Sequence, residues 1–203
     1  MAKDGEGVVE IRLVWPSREY LPGYMAALQR GWSPDNVRGE IVAREQLARI
    51  AADADAFLAS QVDRDATGER VILLDGTRVP RIPSYRRWMW DGEFCGSIGF
   101  RWQPGTEALP PHALGHIGYS VVPWKRRRGY ATQALREVLR DAAAEGLRYV
   151  ELTTEPDNVG SQRVIEANGG VFVEEFISPP GLGSTRERRY RIALDRAGTG
   201  DRA

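Results

Sequence analysis

The stretch from Gly115 to Gly146 constrains this chain more than any other, because its hydrophobic period changes halfway along. Gly115 to Val122 is an apolar run of strand length. From Ala131 to Ala143, Ala131, Leu135, Val138, Leu139 and Ala142 recur at helical spacing, and Gly146 is placed to end the helix. A buried strand that feeds an amphipathic helix must continue to a further strand, and Tyr149 to Thr153 reads as one. The joining loop, Pro123-Trp124-Lys125-Arg126-Arg127-Arg128-Gly129-Tyr130, sits where a helix start leaves backbone N–H groups without partners and adds partial positive charge. Glycine and arginine there favour an anion of phosphate type. On its own a basic quartet reads equally well as a solvated turn.

The rest of the chain supplies a mixed set of elements. Val8 to Val14 alternates as a strand stopped by Pro16, and residues 17 to 31 read as a helix with Pro22 in its first turn. Ile41 to Leu58 carries the apolar stripe Leu47, Ile50, Ala51, Ala54, Phe57 and Leu58, which predicts one long helix. Residues 61 to 85 are polar and broken by Gly68, Gly76, Pro80 and Pro83, so they read as irregular, with a short strand near Val71 to Leu74. Arg86 to Trp90 and Phe94 to Trp102 flank the hairpin signal Asp91-Gly92. Asp157-Asn158 caps a helix from Val159 to Ala167, and Asn168-Gly169-Gly170 stops it. Val171 to Ile177 and Arg189 to Leu194 are two closing strands around a Pro/Gly-rich loop. This order predicts an α+β fold with one parallel crossover, in a single domain over residues 1–203. Its core spans about 8–195, with residues 1–7 and 196–203 expected to be disordered.

Composition removes several function classes. Lys plus Arg equals Asp plus Glu at 28 each, so no global field recruits nucleic acid or anionic membrane. One cysteine, Cys95, and two histidines, His112 and His116, argue against a disulfide framework and a resident metal. The first residues lack the apolar stretch of a signal peptide, so the expected location is cytoplasmic. The loop lacks Gly-x-x-x-x-Gly-Lys-Ser/Thr and Gly-x-Gly-x-x-Gly, which sets aside a mononucleotide P-loop and a dinucleotide fold.

The pattern Arg126-x-x-Gly129-x-Ala131 resembles the pyrophosphate signature of the GNAT acyltransferases, Gln/Arg-x-x-Gly-x-Gly/Ala. Val121-x-Pro123 precedes it as in that family, and a helix, a strand and an asparagine-led helix follow in order. Cys95-Gly96-Ser97-Ile98, Gly115 to Ser120, Glu155-x-x-Asn158-x-x-Ser161 and Gly169-Gly170-Val171-Phe172 extend the similarity, as does Pro16-Ser17-x-Glu19-Tyr20. The resemblance is to a predicted-acetyltransferase subgroup, similar to the branch that acetylates ribosomal-protein N-termini, and is firmest over residues 86 to 194.

The resemblance implies a mostly antiparallel central sheet flanked by helices, with the fourth and fifth strands splayed around the pantetheine arm of acetyl-CoA. Tyr119, Val121 and Val122 would then pair with that arm, the Val121 N–H facing the thioester oxygen. Arg126, Arg127, Arg128, Gly129, Tyr130, Ala131 and Thr132 would hold the pyrophosphate, and Asn158 and Ser161 would contact the pantetheine region. The implied reaction is acetyl transfer to a primary amine in a ternary complex. His116 is the candidate base, and Ser161 is a candidate aid to the leaving thiolate. The tyrosine common on the helix after Asn158 is missing, its place falling nearest Ile165. A non-catalytic acyl-CoA-binding module is the alternative. Trp88, Trp90, Trp102 and Trp124 are candidate acceptor-pocket residues or sheet packing, Glu93 and Glu155 candidate contacts to a cationic acceptor, and a homodimer is implied by precedent only.

Overall fold

The computed structural model describes residues 10–35 and 37–194; the ends expected to be disordered, 1–7 and 196–203, lie outside the described residues. Strand β1 (Arg12–Val14) ends before Pro16, and helix α1 (Leu21–Gln29) takes Pro22 in its first turn. Two helices, α2 (Glu40–Ala52) and α3 (Ala54–Ala59), replace the single helix expected over residues 41 to 58. Asp53 is the reason. Its backbone is extended (φ −159°, ψ 100°), and its carboxylate accepts the Ala56 N–H at 2.9 Å, so it closes one helix and caps the next. The apolar stripe survives the break, because Ile50 and Phe57 enter the same buried cluster.

The segment expected to be irregular holds β2 (Val62–Asp63), β3 (Val71–Ile72) and β4 (Arg78–Val79), the last two forming a small hairpin of their own. The remaining elements lie close to their expected bounds: β5 (Ser84–Trp90), β6 (Phe94–Arg101), β7 (Ile117–Val121), α4 (Tyr130–Ala144), β8 (Tyr149–Thr154), α5 (Val159–Glu166), β9 (Val171–Ile177) and β10 (Arg186–Ala193).

The strands form two antiparallel blocks rather than one continuous ladder. One runs β1-β5-β6-β7, with β2 also on β5, and the other runs β8-β10-β9. On one face, Met89, Ile98, Phe100 and Ile117 pack under Leu135 and Val138 of α4 and Ile165 of α5. Burying Leu135 and Val138 contributes about 2 kcal/mol each. On the other face, Trp88 and Phe94 pack against Tyr24 and Leu28 of α1 and Phe57 of α3. Tyr24 stacks on Trp88 with centroids 4.4 Å apart. The sheet is thus covered on both sides except where its two blocks part.

Candidate active site

The two blocks meet at one residue pair. The His116 N–H donates to the Glu151 carbonyl at 2.7 Å, and the Glu151 N–H donates to His116 Nδ1 at 2.9 Å. Beyond this joint, β7 and β8 form no ladder. The gap therefore opens toward their C-terminal ends, where α4 and α5 begin; in open α/β sheets ligands favour that place. The Val122 N–H bonds the Cys95 carbonyl on the β6 side at 2.9 Å. By the two-residue alternation of a strand, the backbone groups of Tyr119 and Val121 face the gap.

Val121 leads into a 3-10 turn (Pro123–Lys125), then exposed Arg126 to Gly129. Arg127 and Gly129 take left-handed φ values of 64° and 77°, which glycine at the start of α4 adopts freely. No side chain caps α4, and its first helical bond runs from the Gln133 N–H to the Gly129 carbonyl. The N–H groups of Gly129, Tyr130, Ala131 and Thr132 thus point out of the helix start. Among the described residues, Arg126, Arg127 and Arg128 enter no ion pair; Arg126 Nε donates to the Val121 carbonyl at 3.2 Å. A negatively charged pyrophosphate fits this set of donors.

Two members of the basic segment do other work. Lys125 is buried, its Nζ 2.6 Å from Asp91 Oδ1 and 3.0 Å from Glu93 Oε2. The Tyr130 side chain is also buried, its hydroxyl donating to Asp91 Oδ2 at 2.6 Å, so Tyr130 offers the loop only its backbone. Asp91 therefore ties down both ends of the loop. Burial would raise its pKa, but the hydrogen bonds from Lys125 and Tyr130 win and bring it to about 2. Nothing local in the Asp91-Gly92 turn signals this role, since Lys125 lies 34 residues away.

His116, the candidate base, holds a strand through its ring. A backbone N–H can only donate, so Nδ1 is the unprotonated nitrogen and Nε2 carries the hydrogen. Nε2 is buried without a partner, and burial is the largest influence on the ring, lowering its pKa. The one lone pair that could take a proton already holds β8. His116 is a joint between strands in this geometry.

Across the gap, Tyr119 and Ser161 meet, with hydroxyl oxygens 2.9 Å apart. Burial pushes the Tyr119 pKa up to about 12, so its hydroxyl remains a donor. Asn158 caps α5 by accepting the Ser161 N–H at 3.1 Å. Ile165, nearest the usual tyrosine position, is fully buried in the core, away from solvent. Trp88 and Trp102 pack in the core, whereas Trp90 and Trp124 line a cavity of about 240 Å³ with Arg30, Glu93 and Phe94.

Sequence reading missed Glu187. Arg188, opposite Thr154 on β8, reaches Gln162 of α5, so by strand alternation its neighbour Glu187 projects from the opposite face, level with the C-terminal end of β8. Burial raises the Glu187 pKa; the Thr185 hydroxyl at 3.0 Å opposes this and the nearby charge of Glu155 adds to it. Among the described residues no group of three His, Cys, Asp or Glu could hold a metal ion, and no helix is long and apolar enough to cross a membrane.

Residues 44–171 match the model of the acetyltransferase (GNAT) domain. No curated protein sequence matches the chain. Among solved structures, the microcin C7 self immunity acetyltransferase MccE, in complex with acetyl-CoA and AMP, is similar with a TM-score of 0.60 at 12% identity, covering 91% of this chain and 93% of that one. RimL, a ribosomal L7/L12 alpha-N-protein acetyltransferase in complex with coenzyme A, gives 0.59 at 14% identity, covering 92% and 95%. An acetyl transferase from Salmonella typhimurium, described as modifying the N-terminal serine of a 50S ribosomal subunit protein, gives 0.57 at 14%, covering 92% and 98%. These likenesses establish the fold, including the first 60 residues, where the sequence resemblance is looser.

Proposed function

Because this chain belongs to the acetyltransferase (GNAT) domain family, we propose that it transfers an acetyl group from acetyl-CoA to a primary amine by direct attack in a ternary complex. One observation carries the reading: an uncapped helix start with exposed arginines stands at the open end of a gap edged by unpaired strand backbone. Acetyl-CoA supplies an activated thioester carbonyl. The N–H groups of residues 129 to 132, with Arg126, Arg127 and Arg128, bind its pyrophosphate, and the edge of β7 orders its pantetheine arm as an added strand. The Val121 N–H donates to the thioester oxygen as negative charge develops there. The amide of Asn158, its oxygen already used as a cap, offers its NH₂ to the arm.

An amine attacks only when neutral, so a group near the gap takes its proton. We assign that role to Glu187 instead of His116, because Glu187 is half-buried, has a raised pKa and keeps free acceptor capacity. The Ser161 hydroxyl, held beside Tyr119, donates a hydrogen bond to the departing sulfur in place of the missing α5 tyrosine, while the Tyr119 hydroxyl donates to the Ser161 carbonyl. Glu187→Gln is expected to lower kcat roughly 100-fold with coenzyme affinity retained; a kcat within about threefold of wild type would remove Glu187 from the mechanism.

The reading is tested by incubating the protein with acetyl-CoA and a broad amine panel and measuring free thiol. Acceptor-dependent thiol release supports it. Coenzyme that binds tightly in calorimetry but releases no thiol with any amine favours the second reading, a non-catalytic acyl-CoA-binding module. That alternative rests on the committed lone pair of His116 and the buried Ile165.

A further inference from the structure

A row of residues crosses three strands and ends at the gap: Arg86 on β5 stands opposite Gly99 on β6, which stands opposite Gly118 on β7. Neither glycine has a positive φ, so what each contributes is the lack of a side chain. Gly118 is exposed on β7, the strand that borders the gap, and leaves a bare floor. Two guanidinium groups overhang it. Arg86 Nη2 lies 3.9 Å from where a Gly99 Cβ would stand, and Arg101 Nη2 lies 4.0 Å from where a Gly118 Cβ would stand.

Both arginines lack an acidic partner. Arg87, Arg148, Arg188, Arg189 and Arg191 each meet a carboxylate. Among the described residues, Arg86 and Arg101 meet none; Arg86 Nη1 reaches only Ser97 Oγ, at 3.1 Å. Two like charges near each other without a counter-ion disfavour themselves: local desolvation and then the Arg86 charge lower the Arg101 pKa, although Arg101 stands exposed to solvent at the end of β6. An anion seated between them would relieve that cost and meet planar donors suited to carboxylate or phosphate.

We propose that this cradle of Arg86, Arg101 and the Gly99–Gly118 floor binds an anionic group, carboxylate or phosphate, on the acceptor amine. The proposal rests on the acetyltransferase reading, because it uses β7 as the strand that presents the acetyl group. Gly118 precedes Tyr119 on that strand, so an anion on the floor leaves an amine a few bonds away within reach of the gap. The acceptor is thus a small amino compound or peptide amine whose acidic group lies close to the nucleophile. Glu187 on β10 and Glu155, just past the end of β8, lie on the other side of the gap and supply the negative charge for the amine end of such a molecule.

The test is calorimetry on the coenzyme-loaded and coenzyme-free protein with matched pairs: O-phosphoethanolamine against ethanolamine, glutamate against its diamide, and a tetrapeptide with two acidic side chains against its amidated counterpart. At least one anionic member is expected to bind ten or more times tighter than its neutral partner, and which pair discriminates identifies the source of the anion. Arg101→Gln and Arg86→Gln are expected to cut that preference to within about twofold while leaving coenzyme affinity unchanged. Arg101→Gln guards against a folding artefact, because Arg101 bonds no other side chain among the described residues. Equal binding of every pair, or an unchanged preference in both variants, would overturn the proposal. The coenzyme-free titration decides the cradle even if coenzyme fails to bind, so the two readings fail separately.

Discussion

Replacing Asp91 by alanine tests how the coenzyme loop is held. The Asp91 and Lys125 side chains are 8% and 9% exposed and 2.6 Å apart. Removing one member of a buried pair costs about 3–5 kcal/mol, because the other charge is left uncompensated. Lys125 retains Glu93 at 3.0 Å, but the Glu93 side chain is 79% exposed and holds it weakly, so the lower end, about 3 kcal/mol, applies here. Tyr130 also loses its acceptor, which adds about 1 kcal/mol. The sum, about 4 kcal/mol, lowers Tm by roughly 8–16 °C for a domain of this size. The same change frees both ends of the loop, so acetyl-CoA affinity is expected to fall about tenfold or more. Thermal denaturation and isothermal calorimetry measure the two effects, and Asp91→Asn, which keeps an acceptor for Tyr130, should lose the smaller amount of stability. A Tm within about 2 °C of wild type would refute the clamp. A lowered Tm with unchanged affinity would refute the link between the clamp and the coenzyme.

Gly129→Asp is expected to abolish coenzyme binding in calorimetry while the protein stays folded by circular dichroism, because an added Cβ meets only Gln133 Nε2 at 3.9 Å and the left-handed φ costs about 1 kcal/mol. His116→Ala is expected to cost about 3 kcal/mol in urea unfolding, since it leaves the Glu151 N–H without its acceptor and opens a cavity. Its remaining turnover should keep the wild-type pH profile; a limb lying below the ordinary histidine range that vanishes in this variant would restore His116 as the base. Because the folded pKa of Asp91 lies below its unfolded value, its contribution is present above about pH 4 and is lost as pH falls toward about 2. Urea unfolding between pH 2 and 6 should show a shallower acid slope in Asp91→Asn than in wild type.

Most elements were legible because their signals are local. The α4 stripe, the Asp91-Gly92 turn and the Asn158 cap each depend on residues within one or two turns of chain. The break between α2 and α3 escaped because apolar spacing continues through Asp53, and only its cap bond to Ala56 reveals the stop. The strands at 62–63 and 78–79 escaped because two residues carry no measurable period.

For the site, the proposed donor half rests on residues adjacent in the chain: a glycine and three arginines at a helix start, a combination that favours an anion. The acceptor half was decided only by tertiary structure. Arg86, Gly99 and Gly118 become neighbours through strand register alone, and the hold on the donor loop is equally remote in sequence, since Asp91 lies 34 residues from Lys125. The same holds for His116, whose Nδ1 lone pair accepts a backbone N–H from β8, 35 residues away. A side chain's identity is written locally, but its free lone pairs and unpaired charges depend on which distant groups the fold brings within about 3 Å of it.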